Sequence, residues 1–386
     1  MSLLALTGAR VFTGERFLEA QAVLVEGDRI LGLCPQSDLP SHARSLPLAG
    51  GILAPGFVDA QVNGGGGVLF NADPEPAAAA RIAAAHAPFG TTAMLPTLIT
   101  DTPEIMRAAM IAVREALASG APGVVGLHLE GPFLSIARKG AHDPALIRPM
   151  TQADVDLVLG CGIETILLTV APENAPLPLI RQLADAGVII SLGHTDASYE
   201  TAMAAADAGA SGVTHLFNAM SQLQHRAPGV VGAALDHGGL YGGLIADGFH
   251  VHPAALRSAL AAKRGPGKLF LVTDAMPTAG DPHDTFDLNG RRVTRRAGRL
   301  TLEDGTLAGS DLTMDAAIRH TVEHLGQPLE EALRMASLYP AQFLRLDKRR
   351  GRIAPGFAAD LVHLSNTLTI EAVWIGGKPL APDQAR

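Results

Sequence analysis

The chain has 386 residues, enough for two or three average domains or for one barrel of about 250 residues with a smaller domain. Its composition is 47% hydrophobic and only 4% aromatic, and its net charge of −8 argues against nucleic acid as a partner. With two cysteines that lack CxxC spacing, no leader-like start and no apolar stretch of membrane-spanning length, we expect a cytoplasmic protein without disulfides and without a membrane partner.

Both ends of the chain consist of short β-prone segments that alternate with glycine turns. Residues 3 to 50 have this character, and residues 351–379 repeat it. We therefore predict a small β-sandwich domain built from both chain termini, residues 1–52 and 350–386.

The middle of the chain, residues 53–349, alternates apolar strand patterns with alanine-rich helical ones. Thr102 before Pro103, and Thr151, are typical helix starts. Eight strands separated mainly by helices predict a (β/α)8 TIM-like barrel. The alternative, an open doubly wound sheet, lacks a GxGxxG motif after the first strand. The predicted strands are residues 52–62, 91–98, 124–130, 164–170, 188–194, 212–217, 243–247 and 269–274.

A β insertion is predicted after the eighth strand, near residues 280–310. The segment from Phe286 to Val293 has an Asn289-Gly290 turn at its centre, which is a strong hairpin signal. We expect this insertion to lie near the mouth of the barrel.

Polar residues stand at the ends of most predicted strands. In a (β/α)8 barrel the carboxyl ends of all strands meet on one face, where catalysis occurs. A lone histidine in such a place is more often a hydrogen-bonded core residue than a ligand, but a group of them indicates a site. The residues so placed are Gln61, Asn63, His128, Glu130, His194, His215, Asp247, His250 and Asp274.

Glu130, His194 and His215 form a set of one carboxylate and two imidazoles. This set suits one divalent ion, Zn²⁺ or a similar metal, with an open position for water. Asp274 would face that water across the mouth of the barrel, take a proton from it and give it to a leaving amine. Taken alone, Glu130 is equally well explained by hydrogen bonds from a loop, and Asp274 by a capping role.

Several motifs follow one another along nearly the whole chain. They are residues 54–64 (APGFVDAQVNG), 128–133 (HLEGPF), 139–142 (KGAH), 193–197 (GHTDA), 214–220 (THLFNAM), 247–251 (DGFHV), 272–275 (VTDA), 307–310 (LAGS) and 351–361 (GRIAPGFAADL). In these motifs the chain resembles the amidohydrolase superfamily and, within it, the N-acetylglucosamine-6-phosphate deacetylases.

The resemblance implies hydrolysis of N-acetyl-D-glucosamine 6-phosphate, a phosphorylated amino sugar, to D-glucosamine 6-phosphate and acetate. It implies a metal held by Glu130, His194 and His215, with Asp274 as the acid and base, and Arg226 at the 6-phosphate. Homodimers are usual in this family. The sugar contacts that it implies are Ala141, His142, Asn218, Ala219, Asp247, His250, Leu307, Ala308 and Gly309.

Two departures from the family pattern bear on these expectations. Gln61 and Asn63 replace the usual His-x-His, and the fourth strand leads to Glu173 instead of a metal-bridging lysine, so we expect a single metal with a remnant of the second site. Ala227 follows Arg226 where the family commonly has glutamate. The alternatives are deacetylation of N-acetylgalactosamine 6-phosphate or of an N-acyl amino acid, and a non-catalytic protein that kept the fold.

Overall fold

A computed structural model describes residues 3–380. The chain opens with seven short strands, and the last of them leads directly toward the barrel. They are β1 (Leu4–Thr7), β2 (Arg10–Phe12), β3 (Phe17–Leu18), β4 (Gln21–Glu26), β5 (Arg29–Pro35), β6 (Arg44–Pro47) and β7 (Ile52–Pro55).

The middle of the chain then alternates strands and helices. Its elements are β8 (Phe57–Val62), β9 (Gly64–Gly65), β10 (Val68–Leu69), α1 (Pro76–His86), β11 (Thr91–Ile99), α2 (Pro103–Ala118), β12 (Leu127–Glu130), α3 (Gln152–Gly160), β13 (Ile166–Val170), α4 (Leu177–Asp185), β14 (Ile189–Leu192), α5 (Tyr199–Asp207), β15 (Ala210–Val213), α6 (Gly229–Asp236), β16 (Tyr241–Leu244), α7 (Pro253–Ala262) and β17 (Leu269–Leu271).

A three-stranded sheet, three helices and three further strands complete the described chain. They are β18 (Thr285–Leu288), β19 (Arg291–Arg296), β20 (Arg299–Thr301), α8 (Met314–Glu323), α9 (Leu329–Ala336), α10 (Leu338–Phe343), β21 (Leu361–Leu364), β22 (Ile370–Ile375) and β23 (Lys378–Pro379). Single 3₁₀ turns lie at Gln36–Asp38, Ala87–Phe89 and Ile136–Arg138.

The barrel sheet has eight parallel strands in the order β8, β11, β12, β13, β14, β15, β16 and β17. Both predicted helix starts are confirmed, because α2 begins after Thr102 and α3 after Thr151. Among residues 3–380, β17 and β8 are not paired directly, and a single bridge joins Val62 of β8 to Ala275, just after β17. The sheet is therefore a nearly closed (β/α)8 barrel, which confirms the predicted fold class.

Strands from the two ends of the chain share one sheet beside the barrel. This sheet has the order β23, β22, β21, β7, β2 and β3, and a second sheet has the order β5, β4, β1 and β6. Val23 of β4, Leu53 of β7 and Trp374 of β22 lie in one buried apolar cluster. The two sheets therefore pack on each other as a sandwich.

The single strand predicted over residues 52–62 is wrong, because the structure divides it at Gly56. Residues before Gly56 pair in the sandwich sheet with β2 and β21, and residues after it pair in the barrel with β11. A Cβ atom on Gly56 would lie 2.1 Å from the Thr92 hydroxyl, so only glycine allows the chain to pass from one sheet to the other here.

The sheet β18–β19–β20 forms over the barrel mouth, where the sequence predicts an insertion. Asn289 and Gly290 have φ values of 53° and 75°, as the predicted hairpin turn requires. Leu288, Val293 and Leu300 are buried against Ile99 and other residues of the barrel. Among the described residues, no helix is both long and apolar enough to span a membrane.

Candidate metal centre

The residues predicted to carry the chemistry lie where the barrel strands end. Glu130 is the last residue of β12, whereas His194 and His215 follow the ends of β14 and β15, and Asp274 follows β17. These last three residues have φ values of 47°, 32° and 53°, in a region that residues with a side chain rarely adopt. This conformation turns the backbone out of the ladder, and it concentrates strain at the site. The strands predicted to reach residues 194, 217 and 274 therefore end earlier in the structure.

Glu130, His194 and His215 converge on one point. Glu130 Oε1 lies 3.2 Å from Nε2 of His194 and 3.0 Å from Nε2 of His215, and the two Nε2 atoms are 3.1 Å apart. Two imidazole lone pairs at that distance repel each other unless a proton or a cation lies between them. Ligands of a tetrahedral Zn²⁺ with bonds of 2.0–2.1 Å stand about 3.3 Å apart, so the three atoms have the spacing that a divalent cation needs. The site therefore suits a divalent metal ion.

The charges of this cluster are strongly coupled. Burial alone would raise the pKa of Glu130, but hydrogen bonds and charges from His194 and His215 hold it well below its ordinary value. Burial alone would lower the pKa of His215, but the hydrogen bond and charge of Glu130 raise it. A divalent cation bound at this point would displace any proton that these groups share.

Two amide side chains link Asp274 to the metal ligands. Gln61 Nε2 donates both to Glu130 Oε2, at 3.2 Å, and to Asp274 Oδ1, at 3.0 Å. Asn63 Nδ2 donates to the same Asp274 oxygen at 2.7 Å. Both amides therefore act as hydrogen-bond donors to carboxylates. Burial, and then the charge of Glu130, raise the pKa of Asp274 to about 6, so its carboxyl group is suited to exchanging protons near neutral pH.

Three hydrogen bonds that were not predicted from the sequence orient the His194 segment. His194 Nδ1 donates to the carbonyl oxygen of Arg138 at 2.8 Å, which leaves the Nε2 lone pair for a metal. The carboxylate of Glu173 accepts from the Thr195 hydroxyl at 2.6 Å and from the Asp196 backbone N–H at 2.7 Å. Glu173 follows the fourth barrel strand, which offers no metal-bridging lysine, and its carboxylate holds the loop that carries His194.

A cavity of about 250 Å³ opens directly on these groups. His142 lies in its wall. The Nδ1 of His142 lies 2.8 Å from the Thr100 hydroxyl and accepts from the backbone N–H of Thr100 at 3.3 Å; with Nδ1 as the acceptor, the ring proton is on Nε2. Burial, and then the positive potential of His194, lower the pKa of His142 to about 3, so its ring is neutral. The predicted residues that line the cavity are Asn63, Glu130, Ala141, His142, His194, His215, Asn218, Ala219, His250, Asp274, Leu307 and Gly309.

Other predicted residues lie outside the wall of this cavity. Asp247 lies behind His250, and its carboxylate accepts from His250 Nδ1 at 2.6 Å. Ala308 is buried in the apolar cluster beneath the inserted sheet. Arg226 is exposed on the loop before α6. His128 points into the barrel instead, where its Nε2 lies 2.8 Å from the Thr169 hydroxyl.

The sequence analysis also missed an apolar part of the cavity wall. Ile99, Ile245, Met276 and Leu288 line it together with Thr306. Leu288 belongs to the inserted sheet, so this sheet forms part of the site. A polar pattern could not have indicated these residues, because apolar side chains near a hairpin give no sign of what they cover.

A nearly closed (β/α)8 barrel with Glu-His-His ligands and an acidic group at its carboxyl face is the architecture of a metal-dependent hydrolase. Comparison with known proteins agrees with this class. The amidohydrolase family model matches residues 52–380, and the model for the NagA composite domain matches residues 3–53. The chain therefore belongs to the amidohydrolase family, and it is an enzyme, as the sequence predicts.

Particular relatives match over the full length. An N-acetylgalactosamine-6-phosphate deacetylase of Shewanella sp. (strain ANA-3) is 43% identical, over 100% of this chain and 98% of the relative. An N-acetylglucosamine-6-phosphate deacetylase of Haemophilus influenzae is 36% identical, over 97% and 98% of the two chains. The crystal structure of N-acetylglucosamine-6-phosphate deacetylase from Pasteurella multocida superposes with a TM-score of 0.94 at 36% identity, over 98% of this chain and 100% of that one.

Proposed function

We propose that this enzyme hydrolyses the acetamide of N-acetyl-D-glucosamine 6-phosphate to D-glucosamine 6-phosphate and acetate. The observation that carries the proposal is that one cavity contains both the Glu130, His194 and His215 cluster and the Asp274 carboxyl group. The full-length similarity to deacetylases of hexosamine 6-phosphates supports the choice of substrate.

Asp274 transfers the proton in this mechanism. A divalent cation held by Glu130, His194 and His215 would polarise the acetyl carbonyl and lower the pKa of water. Asp274 takes a proton from the water as the water oxygen bonds to the carbonyl carbon. When the C–N bond breaks, Asp274 returns that proton to the nitrogen, and the amine and acetate leave. The Nε2–H of neutral His142 is suited to donating to the carbonyl oxygen as negative charge develops there.

We propose one zinc ion for each chain. Gln61 and Asn63 use their amide groups as donors to Glu130 and Asp274, which does not provide ligands for a second metal. One carboxylate and two imidazoles form a ligand set typical of catalytic zinc. Metal analysis of the purified enzyme tests this stoichiometry, and two equivalents of tightly bound metal would contradict it.

Arg226 is proposed to bind the 6-phosphate. The Arg226 side chain is exposed, so its guanidinium is accessible to a phosphate group. The planar guanidinium can donate paired hydrogen bonds to phosphate oxygens. We also propose that the enzyme is a homodimer in the cytoplasm, and sedimentation analysis would test the dimer.

N-acetylgalactosamine 6-phosphate is a second candidate substrate. The relative that is 43% identical carries that substrate in its name, and the two sugars differ only in the configuration of one hydroxyl group. The cavity wall combines Asn218, His250 and Thr306 with apolar residues. These polar groups could form different hydrogen bonds with the gluco and galacto configurations of that hydroxyl group.

The experiment that tests both candidates combines metal quantification with acetate release. The substrates are the two N-acetylhexosamine 6-phosphates, unphosphorylated N-acetylglucosamine and an N-acyl amino acid. We expect turnover of the phosphorylated sugars, with a higher kcat/KM for the gluco form. Full metal occupancy without acetate from either phosphorylated sugar would overturn the proposed function and favour a non-catalytic role.

A further inference from the structure

The contact between β8 and β17 closes the barrel beside the site, and it is the weakest seam of the sheet. Among the described residues, the one β-bridge across it joins Val62, the last residue of β8, to Ala275, which follows β17. The backbone N–H of Asp274 donates to the Gln61 carbonyl at 3.0 Å, and that of Asn63 donates to the Ala275 carbonyl at 2.9 Å. Gln61, Asn63 and Asp274, which meet in the site, therefore stand on opposite sides of this seam.

Asp59 crosses the seam with its side chain, two residues before Gln61. Its Oδ2 accepts from the Thr273 hydroxyl at 2.6 Å. Its Oδ1 accepts from the backbone N–H groups of Gln61, at 3.2 Å, and Thr273, at 3.3 Å. All three donors thus belong to the residues that flank the seam on either side.

The burial of the Asp59 carboxyl group costs free energy that its three hydrogen bonds must offset. The side chain is fully buried, and its pKa is influenced by hydrogen-bond donors and by Asp274, but by no Lys or Arg among residues 3–380. Burial raises the pKa of Asp59 to about 7, against the effect of its hydrogen bonds. A buried carboxylate without a cation costs free energy that an apolar side chain of similar size would not. What Asp59 provides is a fixed position for the residues that it contacts.

Asp274 is the residue of this seam whose backbone conformation depends on support from its neighbours. Its φ of 53° is strained for a residue with a side chain, and strained residues persist only when their surroundings hold them. On the side away from β8, the backbone N–H of Ser310 donates to the Asp274 carbonyl at 2.9 Å, and the Ser310 hydroxyl donates to the Thr273 carbonyl. On the β8 side, the Asp59 carboxylate holds Thr273.

We propose that Asp59 and Thr273 are a positioning pair that sets the orientation of Asp274 for proton transfer. This proposal rests on the proposed function, since it concerns the acid and base of that reaction. Asp59 does not touch the substrate cavity, and it acts only through Thr273 and Gln61. A shift of about 1 Å in a reacting group costs about 100-fold in rate, so a loosened pair would reduce turnover without loss of the ligands.

The test uses the metal-loaded full-length enzyme with Thr273→Val, which removes the hydroxyl with little change in volume. Thr273→Ser is the matched control, because it keeps the hydroxyl. We expect Thr273→Val to lower kcat by about 10- to 100-fold with KM within about twofold. One metal for each chain and a single cooperative melting transition should remain, although the melting temperature falls because Asp59 Oδ2 loses its donor. Thr273→Ser should stay within about threefold of the wild type. Equal turnover of the Val and Ser variants would overturn the proposal.

A double-mutant cycle separates positioning from general damage. In the Asp274→Asn background the positioned group is gone, so Thr273→Val should reduce the residual rate by less than about twofold. An equal reduction in both backgrounds would show that Thr273 acts elsewhere and would refute the pair. Asp59→Asn, which replaces one acceptor oxygen by a donor group, should show the same non-additivity with Asp274→Asn.

Hydrogen exchange tests the pair independently of turnover. Peptides that contain residues 273–275 should exchange faster in Thr273→Val than in Thr273→Ser, because the Asp274 N–H loses the support that holds it on Gln61. Unchanged exchange would overturn the positioning pair even if the enzyme is a deacetylase. Faster exchange in an enzyme that releases no acetate would instead support the pair and refute the proposed function.

Discussion

Replacing Asp274 by asparagine is the sharpest test of the catalytic assignment, because the structure indicates which contacts survive. One carboxylate oxygen, Oδ1, accepts from both Gln61 Nε2 and Asn63 Nδ2. The amide oxygen of asparagine can take the place of Oδ1 and keep both hydrogen bonds. Its NH₂ group then replaces the outward oxygen, so the change removes the base and leaves the fold and the metal ligands in place.

The expected loss of turnover in Asp274→Asn follows from the proton-transfer role proposed for Asp274. General acid–base catalysis increases reaction rates by about 10²- to 10⁴-fold. This factor corresponds to a decrease of about 3–5 kcal/mol in the activation free energy. Asp274→Asn should therefore lower kcat by about 10²- to 10⁴-fold. KM should change by only a few fold, because the proposed mechanism assigns substrate binding to other residues of the cavity wall.

The assay is acetate release under saturating substrate, with the metal content and melting temperature of the same preparation. Metal at one equivalent and an unchanged melting temperature establish that the site is assembled. If kcat then stays within tenfold of the wild type, Asp274 does not transfer the proton. A loss of metal together with turnover would indicate that Asp274 is a ligand instead.

Three further predictions concern the metal, the phosphate and stability. Changing a residue that only supports a metal ligand weakens metal affinity by about 10- to 100-fold, so Glu130→Gln, which changes a proposed ligand, should weaken it at least as much. Full metal content after dialysis would contradict this. Arg226→Ala should raise KM for the phosphorylated sugar by about 10- to 100-fold and leave the unphosphorylated sugar unaffected, since charge-assisted hydrogen bonds contribute about 1.5–3 kcal/mol; equal effects on both sugars would exclude the phosphate contact. Burial would raise the pKa of Asp154, but hydrogen bonds from Arg148 and Thr151 lower it. Its stabilisation is thus present above the unfolded pKa of about 3.9 and is lost as pH falls through the folded value. The melting-temperature difference between wild type and Asp154→Asn should therefore be full at pH 6 and shrink below pH 4, and a constant difference would be evidence against this.

The sequence predicts the barrel and the metal cluster because both leave a strong local pattern. A polar residue at the end of an apolar run, as at Glu130, indicates the carboxyl face of the barrel, and eight such runs indicate the closed sheet. The limits of the strands were less accurate. His194, His215 and Asp274 leave the ladder through a positive φ, which is imposed by tertiary contacts and has no signal in those residue types.

Asp59 and Leu288 illustrate two different reasons for what the sequence analysis missed. Asp59 stands within the apolar stretch Phe57-Val58-Asp59-Ala60 and therefore offers a signal, since a buried carboxylate needs donors. Two of its three donors come from Thr273, far along the chain, so the sequence does not indicate which residue it pairs with. Leu288 offers no signal, because its place in the cavity wall depends on how the inserted sheet docks on the barrel.

The division of the chain at Gly56 has a consequence for biosynthesis. β7, directly before Gly56, pairs with β2 on one side and with β21, residues Leu361–Leu364, on the other. During translation the six-stranded sheet therefore lacks a central neighbour until almost the entire chain has emerged. The strands before β7 find their partners within the first 55 residues, but β7 stays unpaired on its β21 side until then, and the barrel strands are available earlier. Such long-range pairing slows folding, so the β21-facing edge of β7 is the part of the sandwich that stays open to wrong pairing longest in a newly made chain.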